Sequence, residues 1–473
     1  MIFHSLNFAI FLLLVLVGYW SLPKRGQNWF LLVASYIFYG WVHPWYVALL
    51  ALTSVVDFTA ARGIADHPQH RKKWLALSLG FNFSILFFCK YLDFFSGGHV
   101  LDVLHAIGFT WLDERDAAML LPVGISFYTF QSASYVVDVF RGQISARRNL
   151  PDYLLFVSFF PQLVAGPIER AGHLLEQVEK PRHFRADRAR AALVLILWGL
   201  VKKLVVADNA AVVCNKVFSL ATPPWPVLWA GVFAFAIQIY ADFSAYSDIA
   251  RGSANLMGFD LMRNFRHPYN TYSPADFWRR WHISLSTWFR DYVYIPLGGS
   301  RGGAVRTSVN VMVTFLLSGL WHGASWNFVL WGAWHGALLV GWRMWEAAPA
   351  AVRPDRFPRG LRVALVFVLV LIGWLLFRET RSDMLLRYLT LNPFTASALD
   401  WRVAIYLVLT VAIYGMPLLL VSTFEKQLIH EGRVSQLWRH PSMWLQVVMA
   451  TVLMLILILL RSPQSSDFIY FQF

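Results

Sequence analysis

The chain has 473 residues, of which 57% are hydrophobic and 14% charged, and its mean hydropathy is +0.49. This balance lies outside the range of soluble globular proteins and predicts a polytopic membrane protein. The formal net charge of +14 could indicate nucleic-acid binding, but the basic residues lie in short loops between apolar runs, which is a pattern of membrane topology. We therefore expect no nucleic-acid partner.

Apolar runs recur from Phe8 to Leu460, so we predict one all-α membrane domain over residues 1–473. The first run, Phe8 to Tyr19, has no basic segment before it and no small-residue cleavage site after it, which favours a membrane span over a signal peptide. The spans, about 11–12 in number at roughly 20 residues each, are predicted at 6–22, 28–42, 45–62, 74–91, 118–139, 190–208, 227–256, 308–325, 326–345, 361–378, 401–422 and 442–461. The most motif-rich part is 118–378, and the last helices fall within 401–461.

Basic loops follow alternate spans, and positively charged loops stay on the cytoplasmic side. They lie at 24–25, 62–73, 141–148, 262–306, 353–362 and 426–439. We therefore predict that both termini face the outside of the cell membrane.

Two stretches do not fit simple spanning. Residues 154–167 are too few to cross and are broken by Pro161 and by Gly166-Pro167, so we predict a re-entrant segment enclosed by protein. Residues 277–300 are amphipathic, which predicts an interfacial helix.

On one continuous helix over 277–292, aromatic residues would share an arc, with His282 beyond its margin and Arg279 and Arg290 beside it. Ionisable residues in a membrane protein are costly, so each is a candidate for function. The alternative is an interfacial helix whose arginines contact lipid phosphates.

His322 follows the apolar run Val311–Leu320, and small residues beside it allow close approach of a substrate chain. A buried neutral imidazole suits general-base chemistry, although a hydrogen-bonded packing histidine would show the same pattern. His335 lies thirteen residues on, about 220° around a continuous helix, so we assign it to packing.

Polar residues also cluster at 238–252 inside a predicted span, which indicates a water-filled cavity or a hydrogen-bond network. Asp242 and Asp248 fall on different helix faces, so they do not suggest a catalytic carboxylate pair. Lys202-Lys203 are expected to extend to an interface. The two cysteines, Cys89 and Cys214, predict neither a disulfide framework nor a metal site. From these residues alone, acyl transfer, proton-coupled transport and handling of a lipid-linked sugar remain open.

Several motifs together resemble the bacterial, alginate O-acetyltransferase-like branch of the membrane-bound O-acyltransferase (MBOAT) family. They are GQNWFLLVASYIFYGW (26–41), LLPVGISFYTFQSASYVVDVFRG (120–142), FFPQLVAGPIER (159–170), QIYADFSAYSDIARG (238–252), NFRHPY (264–269), FWRRWHISLSTWFRDYVYIPLGGSR (277–301), GLWHGASWNFVLWGAWHG (319–336) and GWLLFR (373–378). The resemblance implies a helical core around a central tunnel, with His322 as the essential residue and His282 as a second, donor-side histidine. It also implies acetyl-CoA as the donor, no tightly bound cofactor, and the bacterial inner membrane as the location.

The resemblance further implies that an SGNH-type acetyltransferase protein outside the membrane completes transfer to a polysaccharide or cell-wall acceptor. We expect substrate to be bound by Asp242, Tyr246, Trp278, Arg279, Trp281, Arg290 and Trp321. The phosphates of acetyl-CoA would lie near Arg279 and Arg290, because guanidinium groups match phosphate geometry. The alternatives are a transporter or flippase, a D-alanyl transferase using a carrier protein, and a non-catalytic scaffold.

Overall fold

A computed structural model describes residues 1–96, 102, 105, 122–349, 352–430, 443–464, 466, 468 and 469. Every regular element in these residues is helical, as predicted. The chain divides into two units, one formed by Met1–Ala192 with Ala250–Met262 and the other by Leu193–Ile249 with Arg263–Phe473. Helices α10 and α12, defined below, contribute residues to both units.

The helices of the first unit follow the apolar runs of the sequence. They are α1 (Leu6–Trp20), α2 (Lys24–Gly40), α3 (Pro44–Asp66), α4 (Arg71–Leu86), α5 (Leu92–Phe95), α6 (Ile125–Phe140), α7 (Leu150–Ser158), α8 (Phe160–Leu163), α9 (Ala171–Glu179) and the start of α10 (Ala186–Val201). Their first turns contain residues suited to helix starts. Ser5 caps α1 by accepting a hydrogen bond from the Phe8 backbone at 3.2 Å, and Pro44 opens α3, where the missing N–H costs nothing.

Several buried polar groups in the first unit are hydrogen-bonded within it. Asp57 of α3 accepts hydrogen bonds from Ser78 at 2.6 Å and Asn82 at 2.7 Å, both on α4. The Arg182 guanidinium donates to the Tyr19 hydroxyl at 2.7 Å and lies 4.8 Å from the centroid of the Phe259 ring. Such pairing is required where polar groups leave water.

The segment predicted to be re-entrant lies in this unit. The chain forms α7, breaks at Phe159 and forms the short α8, and nearly every residue from Tyr153 to Glu169 is buried. The interruption and its enclosure by protein are therefore confirmed. That the segment enters and leaves the membrane on one side stays a prediction.

The second unit contains the two histidine motifs. Its helices are the end of α10, α11 (Asp208–Phe218), α12 (Trp225–Leu256), α13 (Pro274–Trp278), α14 (Ile283–Phe289), α15 (Gly303–His322), α16 (Trp326–Glu346), α17 (Arg359–Arg378), α18 (Ser382–Leu389), α19 (Ala398–His430) and α20 (Met443–Leu460). Two π-helical turns interrupt them, at Lys202–Ala207 between α10 and α11 and at Arg290–Tyr294 after α14.

Helices α15 and α16 form a tight antiparallel hairpin. A Cβ atom added at Gly319 of α15 would collide with the Phe328 carbonyl of α16, and one added at Gly332 of α16 would collide with the Phe315 carbonyl of α15. The two backbones are therefore in direct contact, as small residues permit between membrane helices. This contact fixes the end of α15, where His322 lies.

The described residues contain six helices that are long and apolar enough to cross a membrane, so the chain is a multi-pass membrane protein. They are Pro44–Asp66, Pro68–Tyr91, Trp225–Leu256, Gly303–His322, Arg359–Arg378 and Ala398–Ser422. Shorter apolar helices are Leu6–Trp20 and Gln446–Leu460. Each span predicted from sequence overlaps a helix, whereas residues 118–121 of the fifth span and residue 442 of the twelfth lie outside the described residues.

Candidate active site

The stretch 277–292 is not one helix, so the face predicted for it is wrong. Helix α13 ends at Trp278 and α14 begins at Ile283. Between them His282 adopts φ 43° and ψ 56°, the left-handed conformation. Arg279 and Arg290 are both exposed, whereas His282 is fully buried. A left-handed non-glycine residue costs about 1–3 kcal/mol and persists only where its surroundings hold it.

Asn264 holds this strained turn. Its backbone carbonyl accepts a hydrogen bond from Ile283 N at 2.9 Å, and its side-chain oxygen accepts from Ser284 Oγ at 2.7 Å and Ser284 N at 3.3 Å. Its amide nitrogen donates to Ser247 Oγ on α12 at 3.1 Å. The buried side chain of Asn264 therefore links the start of α14 to α12 by hydrogen bonds.

The imidazole of His282 lies among aromatic rings. Its centroid is 4.7 Å from that of Phe243, 6.4 Å from that of Phe265 and 6.0 Å from that of Trp321. Burial lowers the pKa of His282 to about 3, so the ring is neutral near pH 7. A neutral imidazole carries one N–H donor and one acceptor nitrogen.

His322 is the last residue of α15 and is 8% exposed. Its ring centroid lies 4.9 Å from that of Trp321, 4.8 Å from that of Trp331 and 5.1 Å from that of Phe377. Trp321 therefore touches both histidines. The structure brings together His282 and His322, which lie forty positions apart, around one indole ring.

The rotation argument that separated His322 from His335 is wrong, because the helix does not continue between them. The chain turns at Gly323–Ser325, and α16 runs back along α15. Trp331 consequently contacts His335 at 5.0 Å as well as His322. His335 is buried between rings, 5.1 Å from Trp278 and 6.2 Å from Phe277, and its assignment to packing stays a prediction.

The remaining residues expected to bind substrate are distributed around this centre. Trp281 is 2% exposed and packs 4.8 Å from Trp374, whereas Trp278 is partly exposed beside His335. Arg290 donates to its neighbour Asp291 at 2.7 Å. The arginines thus lie at the surface and the tryptophans line the interior, and the binding roles stay predictions.

Lys202 and Lys203 do not extend to an interface, because each is only 3% exposed. Lys202 Nζ lies 2.6 Å from Asp248, and Lys203 Nζ lies 3.1 Å from Asp242 and 3.0 Å from Asp208. The two carboxylates of α12 thus point to different lysines, in agreement with their expected separation on the helix. A buried charge needs a partner of opposite charge, and these carboxylates supply it. The prediction that the two lysines extend to an interface is therefore wrong.

Sequence reasoning missed Ser466, Phe468 and Ile469, two of which bond to this charged cluster. Lys203 Nζ donates to the Ser466 carbonyl at 2.7 Å, and the Ile469 N–H donates to Asp242 at 2.7 Å. Phe468 is 1% exposed, and its ring centroid lies 4.4 Å from that of Tyr246 and 6.1 Å from that of Phe243. Phe243 in turn contacts His282, so Phe468 supports the wall of the candidate site.

The family model described as MBOAT, membrane-bound O-acyltransferase family, matches residues 140–380, which include both histidines. The chain belongs to this family. It is therefore an O-acyltransferase of the membrane.

Among curated proteins, this MBOAT chain is 41% identical to the probable alginate O-acetylase AlgI of Pseudomonas syringae pv. tomato, over 80% of this chain and 72% of the relative. It is 38% identical to the probable alginate O-acetylase AlgI of Azotobacter vinelandii, over 81% of this chain and 76% of the relative. It is 32% identical to the peptidoglycan O-acetyltransferase of Helicobacter pylori, over 79% of this chain and 76% of the relative.

Proposed function

We propose that this MBOAT protein transfers acetyl groups from cytoplasmic acetyl-CoA to hydroxyl groups of a polymer outside the cytoplasmic membrane. The relatives named as alginate and peptidoglycan O-acetyltransferases support both the acetyl group and a polymer acceptor. We place the protein in the bacterial inner membrane, because that membrane separates a cytoplasmic donor from such an acceptor.

The observation that carries the chemistry is the contact of both His282 and His322 with Trp321, at 6.0 and 4.9 Å. Two imidazoles in contact with one indole can take complementary roles in acyl transfer. One accepts the proton of the attacking hydroxyl, and the other donates a hydrogen bond to the carbonyl oxygen as it becomes negative.

We assign the proton transfer to His322. The acceptor oxygen forms a bond to the thioester carbonyl carbon while its proton moves to the His322 imidazole. The carbon–sulfur bond then breaks, and the imidazolium returns the proton to the departing thiolate of CoA. His282 donates its N–H to the oxyanion in between. A relay through acetyl-histidine is the variant of this scheme in which His322 itself attacks the thioester.

We further propose that an SGNH-type protein outside the membrane receives the acetyl group or delivers it to the polymer. The phosphates of acetyl-CoA are assigned to Arg279 and Arg290, both exposed near α13 and α14. Arg279→Ala should then raise the KM for acetyl-CoA with kcat little changed, because it removes an interaction made equally in the ground state and the transition state. An unchanged KM would indicate that Arg279 contacts lipid headgroups and does not bind acetyl-CoA.

The central test is His322→Ala in purified full-length protein, with radiolabelled acetyl-CoA and a polymer acceptor. We expect loss of label transfer with an unchanged melting temperature. His70→Ala is the matched control, because His70 is exposed in the loop before α4. Transfer at the wild-type rate by a folded His322→Ala protein would refute the assignment. Activity from a carrier-bound D-alanyl group, with none from acetyl-CoA, would favour the D-alanyl alternative.

A further inference from the structure

A cavity of about 230 Å³ lies in the second unit, away from the two histidines. It is formed by the end of α16, the start of α17 and the chain before α13, and its lining includes Tyr272, Trp342, Glu346, Arg353, Asp355 and Arg362. Trp342 follows Trp331 by eleven positions on α16, which is about 16 Å at 1.5 Å per residue. The cavity is therefore distinct from the place where Trp331 contacts His322.

The cavity lies where a membrane helix meets water. Arg362 is in the first turn of α17, one of the six candidate spans. Tyr272 and Trp342 are aromatic residues of the kind enriched at headgroup depth. The adjoining loop belongs to the basic set predicted to face the cytoplasm. A ligand of this cavity would thus be met at the lipid headgroup layer.

The two arginines of the lining are suited to a phosphate. The Arg362 guanidinium lies 5.4 Å from the centroid of the Tyr272 ring, and its Nε is buried without a hydrogen-bond partner among the described residues. Arg353 is exposed, and its Nε donates a hydrogen bond to the Ala348 carbonyl at 2.7 Å. Two guanidinium groups with donors available match the oxygens of a phosphate.

The opposite charge is also present. Glu346 accepts a hydrogen bond from Trp342 Nε1 at 2.9 Å, which fixes its carboxylate at the cavity, and Asp355 is the second carboxylate of the lining. Two arginines and two carboxylates give a lining without net charge. A multiply charged anion such as the phosphates of CoA would meet repulsion from the carboxylates. A zwitterion offers a group of opposite charge to both the arginines and the carboxylates.

We infer that this cavity binds the headgroup of a zwitterionic phospholipid that carries a primary ammonium group. The phosphate is held by Arg362 and Arg353, and the ammonium is held by Glu346 and Asp355 beside the aromatic rings of Tyr272 and Trp342. The inference stands independently of the acyl-transfer chemistry, because the described lining of the cavity includes neither His282 nor His322.

The test measures lipid retention by native mass spectrometry on full-length protein released from detergent. The probes are phosphatidylethanolamine, phosphatidylglycerol and phosphatidylcholine with matched acyl chains. We expect the wild-type protein to retain phosphatidylethanolamine at least about 10-fold better than the other two, which corresponds to about 1.4 kcal/mol. Arg362→Ala should abolish the retention, and Glu346→Gln should remove the preference for phosphatidylethanolamine.

The matched control is Arg343→Ala, which removes an exposed arginine from the same end of α16 but outside the lining. It should retain lipid as the wild type does. Equal retention of phosphatidylglycerol and phosphatidylethanolamine would overturn the inference, as would an unchanged preference in Glu346→Gln. Displacement of the lipid by acetyl-CoA, with a raised KM for acetyl-CoA in Arg362→Ala, would also overturn it by showing a donor site.

Discussion

Replacing Asn264 with alanine tests whether the strained turn at His282 serves catalysis. Alanine removes the three side-chain hydrogen bonds to Ser247 and Ser284 while leaving the backbone bond to Ile283. Such bonds contribute about 0.5–1.5 kcal/mol each, so about 1.5–4.5 kcal/mol together. The left-handed conformation of His282 costs about 1–3 kcal/mol. The two quantities are comparable, so without these bonds the turn is free to relax.

If relaxation removes about 2 kcal/mol of transition-state stabilisation, kcat falls roughly 30-fold. We expect this loss in the acetyl-transfer assay, with KM for acetyl-CoA nearly unchanged, because His282 is assigned to the oxyanion and not to donor binding. Ser247→Ala removes only one of the three bonds and should lower kcat by a smaller factor. A larger loss of kcat in Asn264→Ala than in Ser247→Ala would therefore show that the side-chain hydrogen bonds of Asn264 together hold the turn.

Asn270→Ala is the matched control, since it changes the same residue type six positions along the same loop. It should leave kcat at the wild-type value. The reasoning is refuted if Asn264→Ala retains full kcat while folded, or if its loss of activity merely follows a fall in melting temperature that Asn270→Ala shares.

Two further substitutions probe the charged cluster and Phe468. Lys203→Met leaves Asp208 and Asp242 without their shared cation and should destabilise the protein by about 3–5 kcal/mol, measured as a lower melting temperature. Lys216→Met, which changes an exposed lysine of α11, should leave the melting temperature unchanged. An unchanged melting temperature in Lys203→Met would show that the cluster is not needed for stability. Phe468→Ala removes the ring that contacts Tyr246 and Phe243 and should lower kcat, whereas Phe394→Ala, at a residue 93% exposed, should not. Equal kcat values for the two variants would show that Phe468 does not support the site.

Much of the fold follows from the sequence, because apolar length and basic loops report on the bilayer directly. The predicted spans lie on helices, and the break near Pro161 is present as expected. His282 and His322 also stand out in the sequence, since imidazoles are rare beside so many apolar residues. Their meeting around Trp321 is not visible there, because it depends on how separate helices pack.

The wrong arguments about His282, His335 and Lys203 share a cause, which is that helical periodicity describes only one helix at a time. The turn at His282 is fixed by Asn264, eighteen positions earlier, and no period of 3.6 residues reports such a bond. The same limit hid the turn at Gly323, which folds α16 back onto α15. Of the described partners of Lys203, Asp208 lies close to it in the sequence, whereas Asp242 on α12 and Ser466 are distant, so local sequence alone did not predict the burial of this lysine.

The charged cluster has a consequence for the biogenesis of the protein. Helix α12 carries Asp242 and Asp248 into the membrane, and each carboxylate costs about 2.5–3.5 kcal/mol when a helix enters the bilayer alone. Insertion of α12 is therefore easier alongside the earlier segment that brings Lys202 and Lys203. The last bond to Lys203 comes from Ser466, 263 positions later. A nascent chain thus lacks this hydrogen bond to a buried lysine until Ser466 has been synthesised, so an incomplete charged cluster distinguishes the unfinished molecule from the folded one.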